Sequence, residues 1–233
     1  GKPCKMNEII SFVNEHHLFL IEDCAQSHGA SFREKKTGTF GIAGCFSFYP
    51  TKNLGGFGDA GAIITNDDNL ADKLFHLRNY GSKIKYQNEY LGINSRLDEI
   101  QAALLRVKLR YIDKIINHKR NLAEIYFNTL PDFIVKPSRT DDEFDVFHIF
   151  AIQSDKRDLL KKWLLEGDIK TEIHYPTPPH FQKAMKKYLK GSYPISEDIH
   201  SKQLSLPISI GNSTDEIIQV CKRISDFKNI NLS

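Results

Sequence analysis

Four polar side chains stand at spacings that could do chemistry together. Lys52 lies in the segment Ser47-Phe48-Tyr49-Pro50-Thr51-Lys52-Asn53-Leu54-Gly55, behind a short apolar run and ahead of a glycine-rich loop. A lysine in a loop is normally a solvated charge. One at the end of a buried strand is partly desolvated, and a lysine that loses its proton is an amine able to condense with a carbonyl. Asp23 closes the run Leu18-Phe19-Leu20-Ile21-Glu22-Asp23. Taken alone it reads as a cap or turn former. Open α/β sheets, however, place their ligand crevice at the carboxyl ends of strands, and a carboxylate there could hold a protonated ring nitrogen. Ser47, five residues before Lys52, is then a candidate hydroxyl for a phosphate. Gln26, three residues after Asp23, is a candidate contact for the ring or a phenolic oxygen.

The elements that must position these groups follow from periodicity. Residues 6–16 read as a helix with Ile9, Ile10 and Val13 on one face. Leu18–Ile21 is expected as a buried strand with acids at its carboxyl end, Cys45–Phe48 as a second strand and Ala62–Thr65 as a third. Asn66-Asp67-Asp68 starts a helix. Residues 78–93 have weak periodicity and several tyrosines, and read as a loop or flap. Residues 98–130 carry apolar positions at helical spacing (Ile100, Leu104, Val107, Ile112, Ile115, Ile116), with a break near Tyr111-Ile112 and Pro131 as the stop. Beyond it the pattern predicts a strand over 144–152, a helix over 155–167 capped by Asp155 and stopped by Gly167, and a strand over 169–174. A stiff proline segment follows at 175–179, and a last helix capped by Ser213-Thr214-Asp215-Glu216 runs through Phe227. The first half therefore reads as α/β and the second as a smaller α+β domain.

Composition narrows the partners. The 233 residues carry 32 basic and 29 acidic side chains for a net charge of +3, so nucleic acid is not the expected partner. The basic run Lys183, Lys186, Lys187 and Lys190 reads as a solvated helix face. The four cysteines, at 4, 24, 45 and 221, have neither metal nor redox spacing, so no metal is expected. No apolar run approaches the ~18 residues of a membrane span, and the expected location is the cytoplasm.

Four segments in order carry a family resemblance. Glu22-Asp23-Cys24-Ala25-Gln26-Ser27-His28-Gly29-Ala30 is similar to the E-D-x-A-Q-x-x-G-A segment of the DegT/StrS family of pyridoxal phosphate (PLP)-dependent nucleotide-sugar aminotransferases. Ser47–Leu54 resembles its S-F-x-x-x-K-N-L segment, and Gly58-Asp59-Ala60-Gly61-Ala62 its G-D-G-G-A, with Ala60 where glycine is commoner. Gly92-Ile93-Asn94-Ser95-Arg96-Leu97-Asp98-Glu99-Ile100-Gln101-Ala102-Ala103 resembles its G-x-N-x-R-x-x-x-x-Q-A-A. His174-Tyr175-Pro176-Thr177-Pro178-Pro179-His180-Phe181-Gln182 resembles a segment of the members that aminate the 3-keto carbon of a dTDP-6-deoxyhexose.

The resemblance implies a fold-type I α/β architecture: a partial large domain with a mixed sheet over 1–110, a long linking helix, and a small C-terminal α+β domain over 111–233. It implies that Lys52 holds PLP covalently and moves protons, that Asp23 pairs with the pyridine nitrogen, and that Gln26 and Ser47 hold ring and phosphate. Asn94 would reach the phosphate of a neighbouring subunit's cofactor, which implies a homodimer with shared sites. Arg96 is implied as a phosphate or substrate contact, and Tyr80, His174 and Tyr175 are implied on the substrate side. The implied reaction is transamination of a keto group, at C3, of a dTDP-6-deoxyhexose with a donor such as L-glutamate, in amino-sugar biosynthesis for surface polysaccharide or lipopolysaccharide. The alternatives are amination at C4 and a non-catalytic scaffold piece. The family's front portion has no counterpart here, so the chain reads as the back part of a longer enzyme, with an uncovered sheet edge, fewer cofactor contacts, and weak or absent activity unless a separate front segment is present.

Overall fold

The computed structural model describes residues 1–230, with side chains through Phe227. Contacts divide the chain into two compact units: residues 1–117 with 140–148, and residues 118–139 with 149 onward. The division falls within a helix, past the expected boundary at 110/111, and returns residues 140–148 to the first unit.

The first unit opens with α1 (Met6–Glu15), as expected, and β1 (Ile21–Asp23). The hairpin of β2 (Ser31–Phe32) and β3 (Lys35–Lys36) comes next, then β4 (Ala43–Ser47) and β5 (Gly61–Ile64). The central sheet has the order β1-β4-β5, with β4 parallel to β1 and antiparallel to β5, so it is mixed. The apolar run Leu18–Ile21 is not the buried strand expected of it: the strand begins at Ile21, and Phe19 is 85% exposed. A run this apolar suits a strand covered on both faces. Here β1 is an edge strand, and no second strand pairs with it among the described residues.

Asp67 caps α2 (Asp68–Leu77), its carboxylate accepting from the amides of Asn69 and Leu70. The expected flap contains a hairpin, β6 (Ser82–Ile84) with β7 (Gln87–Asn88). Gly81 allows it: at φ +78 it lies so close to the Tyr90 carbonyl that a Cβ would sit 1.8 Å from that oxygen. The long helix is broken as expected, into α3 (Glu99–Leu109) and α4 (Ile112–Thr129). Much of α3's apolar face is open, since Ile100, Leu104 and Val107 are exposed while Leu105 is buried. Residues 144–152 do not form one strand. β8 (Glu143–Phe144) joins β2 in the first unit, and β9 (Phe150–Gln153) belongs to the second.

The second unit packs the rest of α4, α5 (Arg157–Leu165), α6 (Pro194–Lys202), β10 (Gln203–Leu206) and α7 (Thr214–Ile230) with the β9–β10 ladder. Its core is fully buried at Tyr126, Phe150, Ile152, Leu160, Leu164, Leu204, Ile217 and Ile224. Tyr126 stacks on Phe150 at 4.7 Å, and its hydroxyl donates to the Pro207 carbonyl at 2.7 Å, which satisfies a buried polar tip. Burial pushes that phenol's pKa well above its ordinary value.

Three local expectations fail in this unit. Asp155 does not cap α5; it pairs with Lys202 at 3.1 Å, while the Ser154 hydroxyl accepts from the Lys156 amide. α5 does stop before Gly167, as expected, with Asp168 the left-handed residue at φ 58. Residues 169–174 form no strand and contribute one bridge, Glu172 to Ser205. The basic run also departs from a helix face, with a 3-10 turn at Lys183–Met185 and its lysines exposed. Ser213 and Glu216 do form the expected capping box, and α7 continues to Ile230.

Candidate functional site

The site grows from the carboxyl ends of two adjacent parallel strands. In the β1–β4 register, Glu22 faces Gly44 and Asp23 faces Cys45. Side chains alternate along a strand, so Asp23, Cys45 and Ser47 share one face of the sheet, and Glu22, Gly44 and Phe46 share the other. The Asp23 and Ser47 positions then lie about 8 Å apart, one strand spacing across and two residues along. That separation suits two ends of a small ring compound better than one direct contact.

Glu22 and Asp23 adjoin in sequence, where only Asp23 is assigned chemistry, and the structure gives the two carboxylates different surroundings. Glu22 is 8% exposed. Its Oε2 accepts from the Gly38 amide at 2.7 Å, and its Oε1 accepts from Phe40 at 2.6 Å and Gly41 at 2.9 Å. This carboxylate anchors the chain after β3 and is occupied. Asp23 is exposed, with Oδ1 accepting from the Ala25 amide at 3.0 Å. No cationic side chain pairs with Asp23 among the described residues, so its carboxylate is available. Gln26 is half-buried on the turn that follows, which is fastened by the Cys24 amide donating to the Cys45 carbonyl at 2.8 Å.

Lys52 sits in the turn that leaves β4. Its amide donates to the Tyr49 carbonyl at 2.9 Å, and the Gly56 amide folds back to Phe48 at 2.7 Å. Asn53, next to Lys52, is buried and donates to the Val146 carbonyl at 3.1 Å. The turn approaches itself so closely that a Cβ at Gly55 would lie 2.3 Å from the Pro50 carbonyl oxygen. From α3, Gln101 accepts from the Phe57 amide at 2.8 Å, and the Lys108 ammonium donates to the Gly55 carbonyl. Both clamps were missed from sequence, although Gln101 lies in a quoted motif. Lys52 itself is half-buried, with no carboxylate in ion-pair range among the described residues. The Ser47 hydroxyl accepts from the Tyr49 amide at 3.3 Å, which leaves its own hydrogen to donate.

His28 lines the opposite face of β4, its ring 5.4 Å from Phe46 and 5.8 Å from Phe48. It is 3% exposed. Neither ring nitrogen finds a hydrogen bond of normal geometry, although the Ser47 backbone lies close enough to favour the protonated ring. Burial holds its pKa down to about 4, and the positive charge of Lys52 pushes the same way. His28 is therefore neutral near pH 7 and adds no cation beside Lys52.

A second cluster gathers residues singled out separately. Arg96 donates from Nε to Asn94 Oδ1 at 3.0 Å and from Nη1 to Asn79 Oδ1 at 3.1 Å. Its guanidinium lies 5.7 Å from the Tyr80 ring centroid. His174 and Tyr175 stand in the second unit. His174 Nδ1 is 2.9 Å from the Ser205 hydroxyl, and Tyr175 is exposed.

The donor set fits PLP: a free carboxylate and a hydroxyl on one sheet face, an amide beside them, and an unpaired lysine in the turn that follows. No group of three or more His, Cys, Asp or Glu side chains among the described residues could hold a metal. No helix among them is long and apolar enough to cross a membrane.

Comparison with known proteins identifies the family. Residues 1–225 match the model of the DegT/DnrJ/EryC1/StrS aminotransferase family. The chain is 46% identical to a dTDP-3-amino-3,6-dideoxy-alpha-D-galactopyranose transaminase of Aneurinibacillus thermoaerophilus, over 97% of this chain and 63% of that protein. It is 41% identical to a dTDP-3-amino-3,4,6-trideoxy-alpha-D-glucose transaminase of Streptomyces venezuelae, over 97% of this chain and 61% of that one. The crystal structure of DesV from S. venezuelae superposes with a TM-score of 0.93 at 38% identity, covering 97% of this chain and 62% of its own. The chain thus spans somewhat under two thirds of the length of these relatives.

Proposed function

Since the chain belongs to the DegT/DnrJ/EryC1/StrS aminotransferase family and has the fold of its PLP-dependent members, we propose that it carries the cofactor lysine of a nucleotide-sugar aminotransferase. The single observation that carries this reading is the shared face of Asp23 and Ser47 at the ends of two parallel strands, with Lys52 in the turn directly after. Bound PLP supplies an electron sink for reversible amine transfer between an amino acid and a keto sugar. Lys52 would hold the cofactor through its amine and, when that amine is free, take the proton from the amino-acid carbon in one half-reaction and deliver a proton to the sugar carbon in the other. Asp23 presents its carboxylate to the protonated ring nitrogen. Ser47 donates to the phosphate, and Gln26 contacts the ring. The neutral His28 spares Lys52 a neighbouring charge.

The substrate is a dTDP-linked 3-keto-6-deoxyhexose, with L-glutamate as donor, in a cytoplasmic step of amino-sugar biosynthesis. The relatives at 46% and 41% identity are named for 3-amino dTDP sugars, which favours C3 over C4. The family resemblance assigns His174 and Tyr175 to the substrate side. Asn94, with Arg96 and Tyr80 beside it, meets the phosphate held by a second copy, which makes the working form a homodimer with shared sites.

The test is covalent. The protein is incubated with PLP, reduced with borohydride and digested, and the labelled peptide is sequenced. Label on Lys52, absent in Lys52→Ala, is expected, together with transfer of 15N from glutamate to the dTDP-keto sugar by the full-length protein. Label elsewhere, or equal label in Lys52→Ala, overturns the assignment. Label on Lys52 without transfer favours the scaffold reading.

A further inference from the structure

The Arg96 cluster has a directional logic that the shared-site reading does not use. A guanidinium only donates, so the atom each carboxamide turns toward it must be oxygen. Arg96 faces two carboxamides, Asn94 at 3.0 Å and Asn79 at 3.1 Å. Both amide orientations are thereby forced, because a flipped amide would set N–H against N–H. The amino group of Asn79 turns to the Ser82 carbonyl at 3.2 Å. The amino group of Asn94 has no partner among the described residues, and Asn94 is exposed.

The backbone holds the cluster in place. Asn79 and Asn94 form a bridge, the Tyr80 amide donates to Ile93 at 2.9 Å, and the Ser95 amide donates to Arg78 at 2.9 Å. Tyr80, at φ 58, is left-handed and carries the ring beside the guanidinium. An exposed asparagine would ordinarily sample both amide orientations. This one is fixed with two N–H donors unpartnered, an arrangement that suits an acceptor-only ligand such as a phosphate monoester.

We infer that Arg96 is a positioning residue for phosphate recognition: it locks the Asn94 carboxamide so that the amino group, not the carbonyl, meets the anion. The inference rests on the proposed reading of Asn94 as a phosphate donor. Lysine would keep the charge but lacks the fork that reaches two carbonyls.

The experiment uses the full-length protein as wild type, Asn94→Ala, Arg96→Met, Arg96→Lys and Asn94→Ala/Arg96→Met. Dissociation constants for PLP and for unphosphorylated pyridoxal are measured by absorbance titration, and their ratio gives the preference for phosphate. Melting curves establish which variants fold; if Arg96→Met does not, Arg96→Lys against Asn94→Ala carries the comparison. Loss of one charge-assisted hydrogen bond should reduce the preference about tenfold in Asn94→Ala. A similar loss is expected in both Arg96 variants, with no further loss in the double variant. Wild-type preference in Arg96→Lys would mean that charge alone matters, and additive losses would mean that Arg96 touches the anion itself; either result overturns the inference. Unchanged preference in every variant overturns it together with the reading of Asn94 as a phosphate donor, while leaving the roles proposed for Lys52, Asp23 and Ser47 intact. A wild type that shows no preference for PLP overturns that reading as well.

Discussion

Glu22→Gln should loosen the scaffold under the site while leaving the adjacent Asp23 in place. The wild-type carboxylate takes three backbone donors: Gly38 on one oxygen, Phe40 and Gly41 on the other. A carboxamide has one oxygen. Its best orientation keeps that oxygen on the Phe40 and Gly41 amides and sets its own amino group against the Gly38 N–H. One buried donor is then orphaned, at about 1–3 kcal/mol, and two charge-assisted bonds become neutral ones worth roughly half as much. The expected local loss is about 3 kcal/mol, close to a hundredfold in the opening equilibrium. The only tryptophan, Trp163, lies in the second unit, so its fluorescence is the wrong probe. Native-state amide exchange at Gly38, Phe40 and Gly41 reads the effect directly. Asp23→Asn in parallel should leave these amides unchanged, because Asp23 points to the other face. Exchange in Glu22→Gln within twofold of wild type, or an equal acceleration in Asp23→Asn, would refute the separation of roles.

Three further outcomes follow from the same geometry. His28 is held at about 4 against an ordinary 6.5, so in that window the unfolded chain binds a proton that the folded chain does not. Stability should therefore fall as pH drops from 6.5 toward 4, by at most about 1.4 kcal/mol per unit; denaturation of His28→Phe across this range should lack that slope, and an identical slope counts against it. Gly44→Ala sets a Cβ 2.4 Å from the Gly38 Cα, backbone against backbone, and should cost about 3 kcal/mol or prevent folding of the first unit, as measured by exchange protection. Ser213→Ala removes one half of the capping box and should lower the stability of the second unit by about 1 kcal/mol, a change that Trp163 fluorescence in urea can follow.

The sequence by itself determined whatever depends on neighbours along the chain. The Asp67 cap, the Ser213–Glu216 box, the break before Ile112 and the β4 and β5 segments are local signals, and all are present. Four motifs in order also nominated Lys52, Asp23, Ser47 and Asn94 as site residues. Tertiary structure decided whatever depends on partners distant in sequence. Phe144 pairs with Ser31, while Phe150 pairs with Leu206, so one apolar stretch was divided between two units. Asp155 was drawn from a capping role to Lys202. The Leu18–Ile21 run reads as buried, yet β1 has a partner on one edge alone. The β1–β4 register separated Glu22 from Asp23, turning one acid inward to three amides and leaving the other open. In sequence the two carboxylates are neighbours, and the inward role of Glu22 has no local signal. A strand gives successive side chains opposite faces, and only the pairing of that strand decides which face becomes the site.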